Sequence, residues 1–206
     1  MSELTLAVPK GRSLRALVPL LARAGIDASA LLDEERTLVR ELMSGAMRCL
    51  LLKPDDVPTY VEYGAADLGI CGRDVLLERG GELYQPLDLG IARCRMVVAA
   101  LAEKRENRGW LRVATKYPRI ASTYFARQGI QAEVVFVQGS VELAPIVGLA
   151  DCIVDLVETG ETLSSNGLYE QQEIAQISSV LIANRASYKL KAKAIAPFLE
   201  KLRTAL

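Results

Sequence analysis

The chain has 206 residues, half of them hydrophobic, with 25 Lys and Arg against 25 Asp and Glu and not one histidine. That length holds one large domain or two small lobes with a full core. Zero net charge argues against a nucleic-acid binder that works through a basic face, and the missing histidine removes most Ser/Cys-His hydrolase and zinc-hydrolase schemes.

No apolar run reaches the roughly 18 residues that a membrane span needs. The start, MSELTLAVPKGRS, lacks the charged opening, apolar centre and cleavage site of a signal peptide, so a cytoplasmic protein is expected. Cys49, Cys71, Cys94 and Cys152 are scattered without a C-x-x-C pair and read as reduced, mostly core thiols.

Strands and helices alternate along the chain. Residues 4–8, LTLAV, read as a buried strand, and Pro9-Lys10-Gly11-Arg12 as the loop after it. Ser13 is placed to cap a helix with Leu14, Leu17, Val18, Leu20 and Leu21 on one face, ending at Gly25. RTLVREL (36–42) and MRCLLL (47–52) read as strands around a Ser44-Gly45 turn. Asp55 or Asp56 starts a short helix that stops at Gly64. DLGICG is a strand, RDVLLER a helix, RCRMVVAAL a long strand and LRVAT another. PRIASTYFARQ is a helix stopped by Gly129, AEVVFV a strand, SVELAPIVG a helix and IVDLV a strand. QEIAQISSVLIA is a last extended run, and a helix follows on Ile195, Phe198, Leu199, Leu202 and Leu206, with Pro197 expected in its first turn.

An internal echo points to two similar α/β lobes. VPTYVEYGAADLGI (57–70) and VELAPIVGLADCIV (141–154) share a helix, a glycine and an Ala-Asp step into a strand. VPKGR and ATKYPR each place proline and basic residues after a strand. Such sheets bind ligands at the carboxyl ends of their strands, here in a cleft between the lobes.

The candidate functional residues concentrate at those ends. IVDLV empties into Glu158-Thr159-Gly160-Glu161-Thr162-Leu163. Gly160 lets the backbone turn tightly, so amides can point into one concavity, and Thr159 and Thr162 add hydroxyls. Asp155 is an acid inside an apolar run, which has to be paired or functional. Carboxylates beside such a nest suit sugar hydroxyls or Mg²⁺ more than a bare anion, which suggests a phosphorylated sugar with a metal. Lys10 and Arg12, beside Gly11, suit a phosphate or pyrophosphate, or are solvated loop charges. Arg36 faces the same choice against pairing with the acidic run before it, and Lys53 closes a strand where a cation faces a ligand. Lys116 and Tyr117 suit a phosphate and a stacked base, or form an ordinary loop before Pro118. Glu142 lies in a helix's first turn, where the helix dipole alone favours an acid. Asp74 and Arg73 read as helix-capping residues, and Asp67 and Asp151 as structural turn residues.

With Glu142, Gly148, Ala150, Ile153, Asp155, Thr159, Gly160, Thr162 and Leu163 in place, the chain resembles the short form of the ATP phosphoribosyltransferase family. The resemblance extends through VPKGR, DVPTYVEYGAADLGICGRDVL, VATKYPRIASTYFARQGI and LSSNGL, nearly the whole chain. It implies a two-lobed α/β fold like the type II periplasmic binding proteins, with lobe one at 1–92 plus 179–206 and lobe two at 93–178. It implies the first reaction of histidine biosynthesis, in which adenine N1 of ATP joins C1 of phosphoribosyl pyrophosphate and pyrophosphate leaves. Mg²⁺ is required, held mainly by pyrophosphate, with no side-chain metal ligand assigned. The resemblance further implies a homodimer within a hetero-octamer that includes a histidyl-tRNA-synthetase-like regulatory subunit, and the chain ends soon after its last helix, as the short form does. In this mapping Glu158–Leu163 grip the 5-phosphate and Asp155 the ribose hydroxyls. Arg12, Arg36 and Lys10 neutralise pyrophosphate, and Lys53 stands where many relatives carry Arg. Two other classes share parts of the pattern. A solute-binding module has the same lobes but does not need the acid-flanked loop. A purine-salvage phosphoribosyltransferase shows two adjacent acids before its loop, whereas Asp155 and Glu158 are three apart.

Overall fold

The computed structural model describes residues 4–33, 36–81, 83–102 and 109–206. In chain order these form β1 (Leu4–Pro9), α1 (Arg12–Arg23), β2 (Val39–Leu42), β3 (Met47–Leu52), α2 (Val57–Glu62), β4 (Leu68–Gly72), α3 (Arg73–Arg79) and β5 (Tyr84–Leu101). There follow β6 (Leu111–Thr115), α4 (Pro118–Arg127), β7 (Ala132–Phe136), α5 (Leu143–Ile146), β8 (Cys152–Val157), α6 (Glu161–Ser165), β9 (Leu168–Ala183), α7 (Arg185–Leu190) and α8 (Ala192–Ala205). Two compact units result, one of Met1–Leu76, Gly80–Ala92 and Ser178–Leu206, the other of Leu77–Arg79 and Arg93–Ile177.

In the first unit β1 lies parallel to β3 and β4, β2 runs antiparallel to β3, and the end of β9 runs antiparallel to β4. Alternation sorts β1 between two cores. Leu6 and Val8 pack with Leu17, Leu21, Phe198 and Leu202 of α1 and α8, while Ala7 packs with Val57 and Val61 of α2. A strand covered on both faces reads as a continuous apolar run, which is why LTLAV does not alternate. Gly69 on β4 is required by packing: a Cβ there would lie 2.7 Å from Val61 Cγ2 and 2.9 Å from Val57 Cγ1.

In the second unit β6 is parallel to β7 and β8, and β8 is antiparallel to β5. One face packs Val113, Cys152 and Val154 against Ala121 and Phe125 of α4. The other joins Val97, Ala114, Ile153 and Val157 to Val141, Ala144 and Leu163.

The internal echo has a structural basis. Asp67 Oδ2 accepts from Thr5 N at 2.9 Å, and Asp67 N donates to Thr5 O at 2.9 Å. Asp151 Oδ2 accepts from Arg112 N at 2.7 Å, and Asp151 N donates to Arg112 O at 2.8 Å. Each aspartate clamps the start of the strand that runs parallel to its own. Both follow a left-handed glycine, Gly64 or Gly148, and a buried alanine, Ala66 or Ala150. Asp67 also meets Lys191 Nζ at 2.7 Å.

Several local expectations are corrected. Ser13 is inside α1, whose cap is Gly11 with φ 88° and no side-chain hydrogen bond. Arg36 precedes β2 by three residues instead of opening it; Glu34 and Glu35, its expected partners, lie outside the described residues. Pro197 is the sixth residue of α8, not in its first turn, because that helix starts at Ala192. The helix expected over 140–148 is four residues long, with Glu142 at its cap position. The four cysteines are free and buried, and burial pushes the thiols of Cys49 and Cys152 up to about 12. Among the described residues no helix is long and apolar enough to cross a membrane.

Candidate active site

In the second unit Asp155 lies on the apolar face of β8, opposite the fully buried Val97. Desolvation is the largest influence on its carboxyl; Leu156 N, donating at 2.8 Å, opposes it, Glu142's charge adds to it, and Lys116 opposes again. The balance lifts the carboxyl from 3.8 to about 6. Glu142 and Lys116 are therefore its electrostatic neighbours, and the structure brings all three candidates together. Glu142 reaches this place because Val141, one residue earlier, is buried in the same cluster as Ile153 and Leu163. Lys116 reaches it because β6 ends with Thr115 paired to Val154, the residue before Asp155.

The loop continues from the same strand. Gly160 adopts φ 86° and ψ −1°, the left-handed region where a side chain is strained, and caps α6. Thr159 Oγ1 accepts from Glu161 N at 3.4 Å. Asn166 Nδ2 donates to Thr162 O at 2.8 Å and closes the far side. Leu163 is buried among Val97, Ile153 and Val157, so the apolar core pins the loop while Glu158, Thr159, Glu161 and Thr162 stay exposed. Helix geometry leaves the amides of Thr162 and Leu163, in the first turn of α6, without intrahelical acceptors.

Tyr117 is corrected. The residue is 5% exposed and packed with Cys94, Val113, Ala121 and Phe125, so it is core and offers no face to a base. Lys116 Nζ lies 5.8 Å from that ring's centroid. The residue that sequence reasoning passed over is Thr115. Fully buried, its hydroxyl donates to Val154 O at 2.6 Å and accepts from Tyr117 N at 2.9 Å, fastening the end of β6 to the middle of β8. A threonine in a strand carries no signal that separates it from an ordinary β-former.

The first unit gathers the basic candidates at one end of its sheet. Lys10 N donates to Leu52 O at 2.8 Å, which sets Lys10, Gly11 and Arg12 beside Lys53. Leu51 N donates to Leu38 O at 2.8 Å, so Arg36, just before β2, is at that end too. Lys10, Arg12, Arg36 and Lys53 are exposed, and Gly11 holds φ 88° and ψ −140°, which suits glycine alone. Arg73 differs: it pairs with Asp88 at 2.9 Å, whose other oxygen accepts from Ser178 Oγ at 2.9 Å, a structural tie.

Among the described residues no three acidic, cysteine or histidine side chains converge as a metal cage. Asp155 and Glu142 supply hard oxygen donors of the kind that Mg²⁺ takes when substrate phosphates supply the rest, so the donor chemistry fits that ion.

The family model described as "ATP phosphoribosyltransferase" matches residues 53–204. A protein of Sorangium cellulosum described by the same words is 59% identical over 202 residues, covering 98% of this chain and 95% of that one. Among solved structures, the ATP phosphoribosyl transferase (HisG:HisZ) complex from Thermotoga maritima superposes with a TM-score of 0.83 at 38% identity over 98% of each chain. The periplasmic aliphatic sulphonate binding protein SsuA from Escherichia coli superposes with a TM-score of 0.60 at 14% identity, over all of this chain and 73% of that one, a likeness of fold alone. The chain therefore belongs to the ATP phosphoribosyltransferase family, which opens histidine biosynthesis, in its short form and on a two-lobed α/β fold like the type II periplasmic binding proteins.

Proposed function

We propose that the transfer of phosphoribose to ATP is carried here by two sets of residues. Glu158–Leu163 hold the 5-phosphate through backbone amides and the hydroxyls of Thr159 and Thr162, and Asp155 accepts hydrogen bonds from the ribose hydroxyls. Lys116 offsets the phosphate charge, and Glu142 takes a further substrate hydroxyl. Arg12, Arg36 and Lys10, with the backbone of Gly11, receive the pyrophosphate. Lys53 stands near them as a cation; it keeps the charge of the Arg found in many relatives and loses its planar fork.

In the reaction adenine N1 donates its lone pair to C1 as the bond from C1 to the pyrophosphate oxygen breaks, and the electrons leave on pyrophosphate. Fixed cations where that charge develops lower the barrier. No histidine base is needed, because N1 already carries the attacking pair. Mg²⁺, when bound to pyrophosphate, supplies further neutralisation of the leaving group. The chain is proposed to work in the cytoplasm as a homodimer within a hetero-octamer, with a histidyl-tRNA-synthetase-like regulatory subunit. The structural likeness to a chain of the HisG:HisZ complex supports that partnership.

The observation that carries the site is the pairing of a half-buried, electrostatically strained Asp155 with the left-handed Gly160 loop that follows its strand. The protein is mixed with ATP, phosphoribosyl pyrophosphate and Mg²⁺, and pyrophosphate release is followed. Release with ATP, and none with hypoxanthine or guanine, is expected. Release with a purine base and none with ATP overturns the reading. Mass in solution with and without the regulatory subunit tests the assembly.

A further inference from the structure

The loop at Glu158–Leu163 is backed by a pair of charges on two other strands. Arg95 on β5 stands opposite Val157, the residue that leads into the loop. Its two terminal nitrogens reach the two carboxylate oxygens of Glu170 on β9, at 2.7 and 2.8 Å. The side chains are 33% and 30% exposed, so solvent screens the pair only partly. Glu170 also lies under the loop: a Cβ added to Gly160 would sit 3.7 Å from Glu170 Oε1 and 3.9 Å from Val157 Cγ1.

We propose that Arg95 is a positioning residue for phosphoribosyl pyrophosphate, acting through Glu170. The bidentate fork fixes the Glu170 carboxylate against Gly160 and cancels a negative charge that would otherwise face the incoming phosphate. This rests on the reading of Glu158–Leu163 as the 5-phosphate loop. A partly exposed ion pair adds little to stability, so burial alone does not explain a two-point arginine clamp at this place. The charge balance does explain it. An unpaired carboxylate within a few ångströms of the loop backbone repels a dianionic phosphate, whereas a neutral pair does not.

Steady-state kinetics with each substrate varied in turn tests the proposal on R95M, E170Q, the double variant and T162V. R95M is expected to raise KM for phosphoribosyl pyrophosphate roughly tenfold while KM for ATP and the melting temperature stay near wild type. The double variant removes the lone carboxylate and is expected to return KM to within about twofold of wild type. An unchanged KM in R95M, or an equal rise in the double variant, overturns the proposal, since the first denies any role and the second assigns the effect to lost packing. If R95M does not fold, R95K serves in its place. It keeps the charge without the fork and is expected within about threefold of wild type; a tenfold rise there overturns the charge account. T162V separates the two levels: a normal KM in T162V sinks the loop reading itself, whereas a raised KM in T162V with a normal one in R95M sinks only the role of Arg95.

Discussion

Asp155 carries a stability cost that its proposed role in the site explains. Its carboxyl titrates near 3.8 in the unfolded chain and near 6 in the folded one, chiefly because burial disfavours the charge. The folded state thus holds the proton more tightly, so stability falls as pH rises from about 3.8 to about 6. Above 6 the half-buried charge is a constant cost, on the order of 1–3 kcal/mol, since each tenfold change in proton affinity is worth roughly 1.4 kcal/mol. Asp155→Asn removes that charge and keeps an acceptor for Leu156 N. At pH 8 the variant is expected to melt above the wild type, and at pH 4 the gap should close. Its affinity for phosphoribosyl pyrophosphate should drop at least about tenfold, because an amide is a weaker acceptor for ribose hydroxyls than a carboxylate. In the wild type, KM for that substrate should climb as pH falls through about 6, a step absent from the variant. Differential scanning fluorimetry and pyrophosphate release at several pH values read both effects. A lower melting point for the variant at pH 8 would make Asp155 a structural acceptor instead. This acid was legible in the sequence because a charge in an apolar strand has few structural uses. The burial of Tyr117 was not legible, since the residue before a helix can face either way and only the packing against Phe125 decides it.

Among the elements, those with a clean period were legible and those interrupted by turn formers were not. β5 begins at Tyr84, nine residues before the strand expected from RCRMVVAAL. Pro86 and Gly90 break the apolar pattern there, and Gly90 and Ala92 take positive φ inside the strand. β9 begins at Leu168 through the polar run YEQQE, which offers no buried face to read. α7 was missed because none of its residues is buried; its only strong signal is the cap Asn184, whose Oδ1 accepts from Ala186 N and Ser187 N. Pro197 is the sharpest case. At the sixth position of α8 it lacks a donor for Lys193 O, and its ring crowds that turn. An exposed proline in a helix interior costs about 3 kcal/mol relative to alanine, against roughly 0.4–1 kcal/mol returned by stiffening the unfolded chain. Pro197→Ala is therefore expected to stabilise the protein by about 2 kcal/mol, seen as a raised denaturation midpoint with an unchanged slope. No gain would mean that Pro197 itself helps to seat Ile195, Phe198, Leu199 and Leu202 in the core.

At the scale of the whole molecule the two units repeat one plan, a strand clamped by an aspartate at its start and polar residues beyond its end. The clamps, Asp67 and Asp151, belong to the architecture, and the proposed reading gives the far ends to chemistry. That division was visible as an internal echo because both copies keep the helix, glycine and Ala-Asp step. The cations of Lys10 and Arg12 belong to the first unit, and the loop at Glu158–Leu163 to the second. A ligand that binds only the folded state raises stability by about 2.7 kcal/mol at 100 times its Kd. For a chain of this size that is a rise in Tm of roughly 5–10 °C. Phosphoribosyl pyrophosphate with Mg²⁺ is expected to produce such a rise in the wild type. On the proposed reading Thr162→Val removes a donor to the 5-phosphate, and Arg12→Ala a cation from the pyrophosphate, so each should cut the rise by more than half without lowering Tm in the absence of ligand. Loss in Thr162→Val alone would leave the 5-phosphate loop standing and remove Arg12 from the pyrophosphate set. Loss in Arg12→Ala alone would mean that the loop's hydroxyls do not bear on binding, and a full rise in both variants would mean that the sugar binds elsewhere.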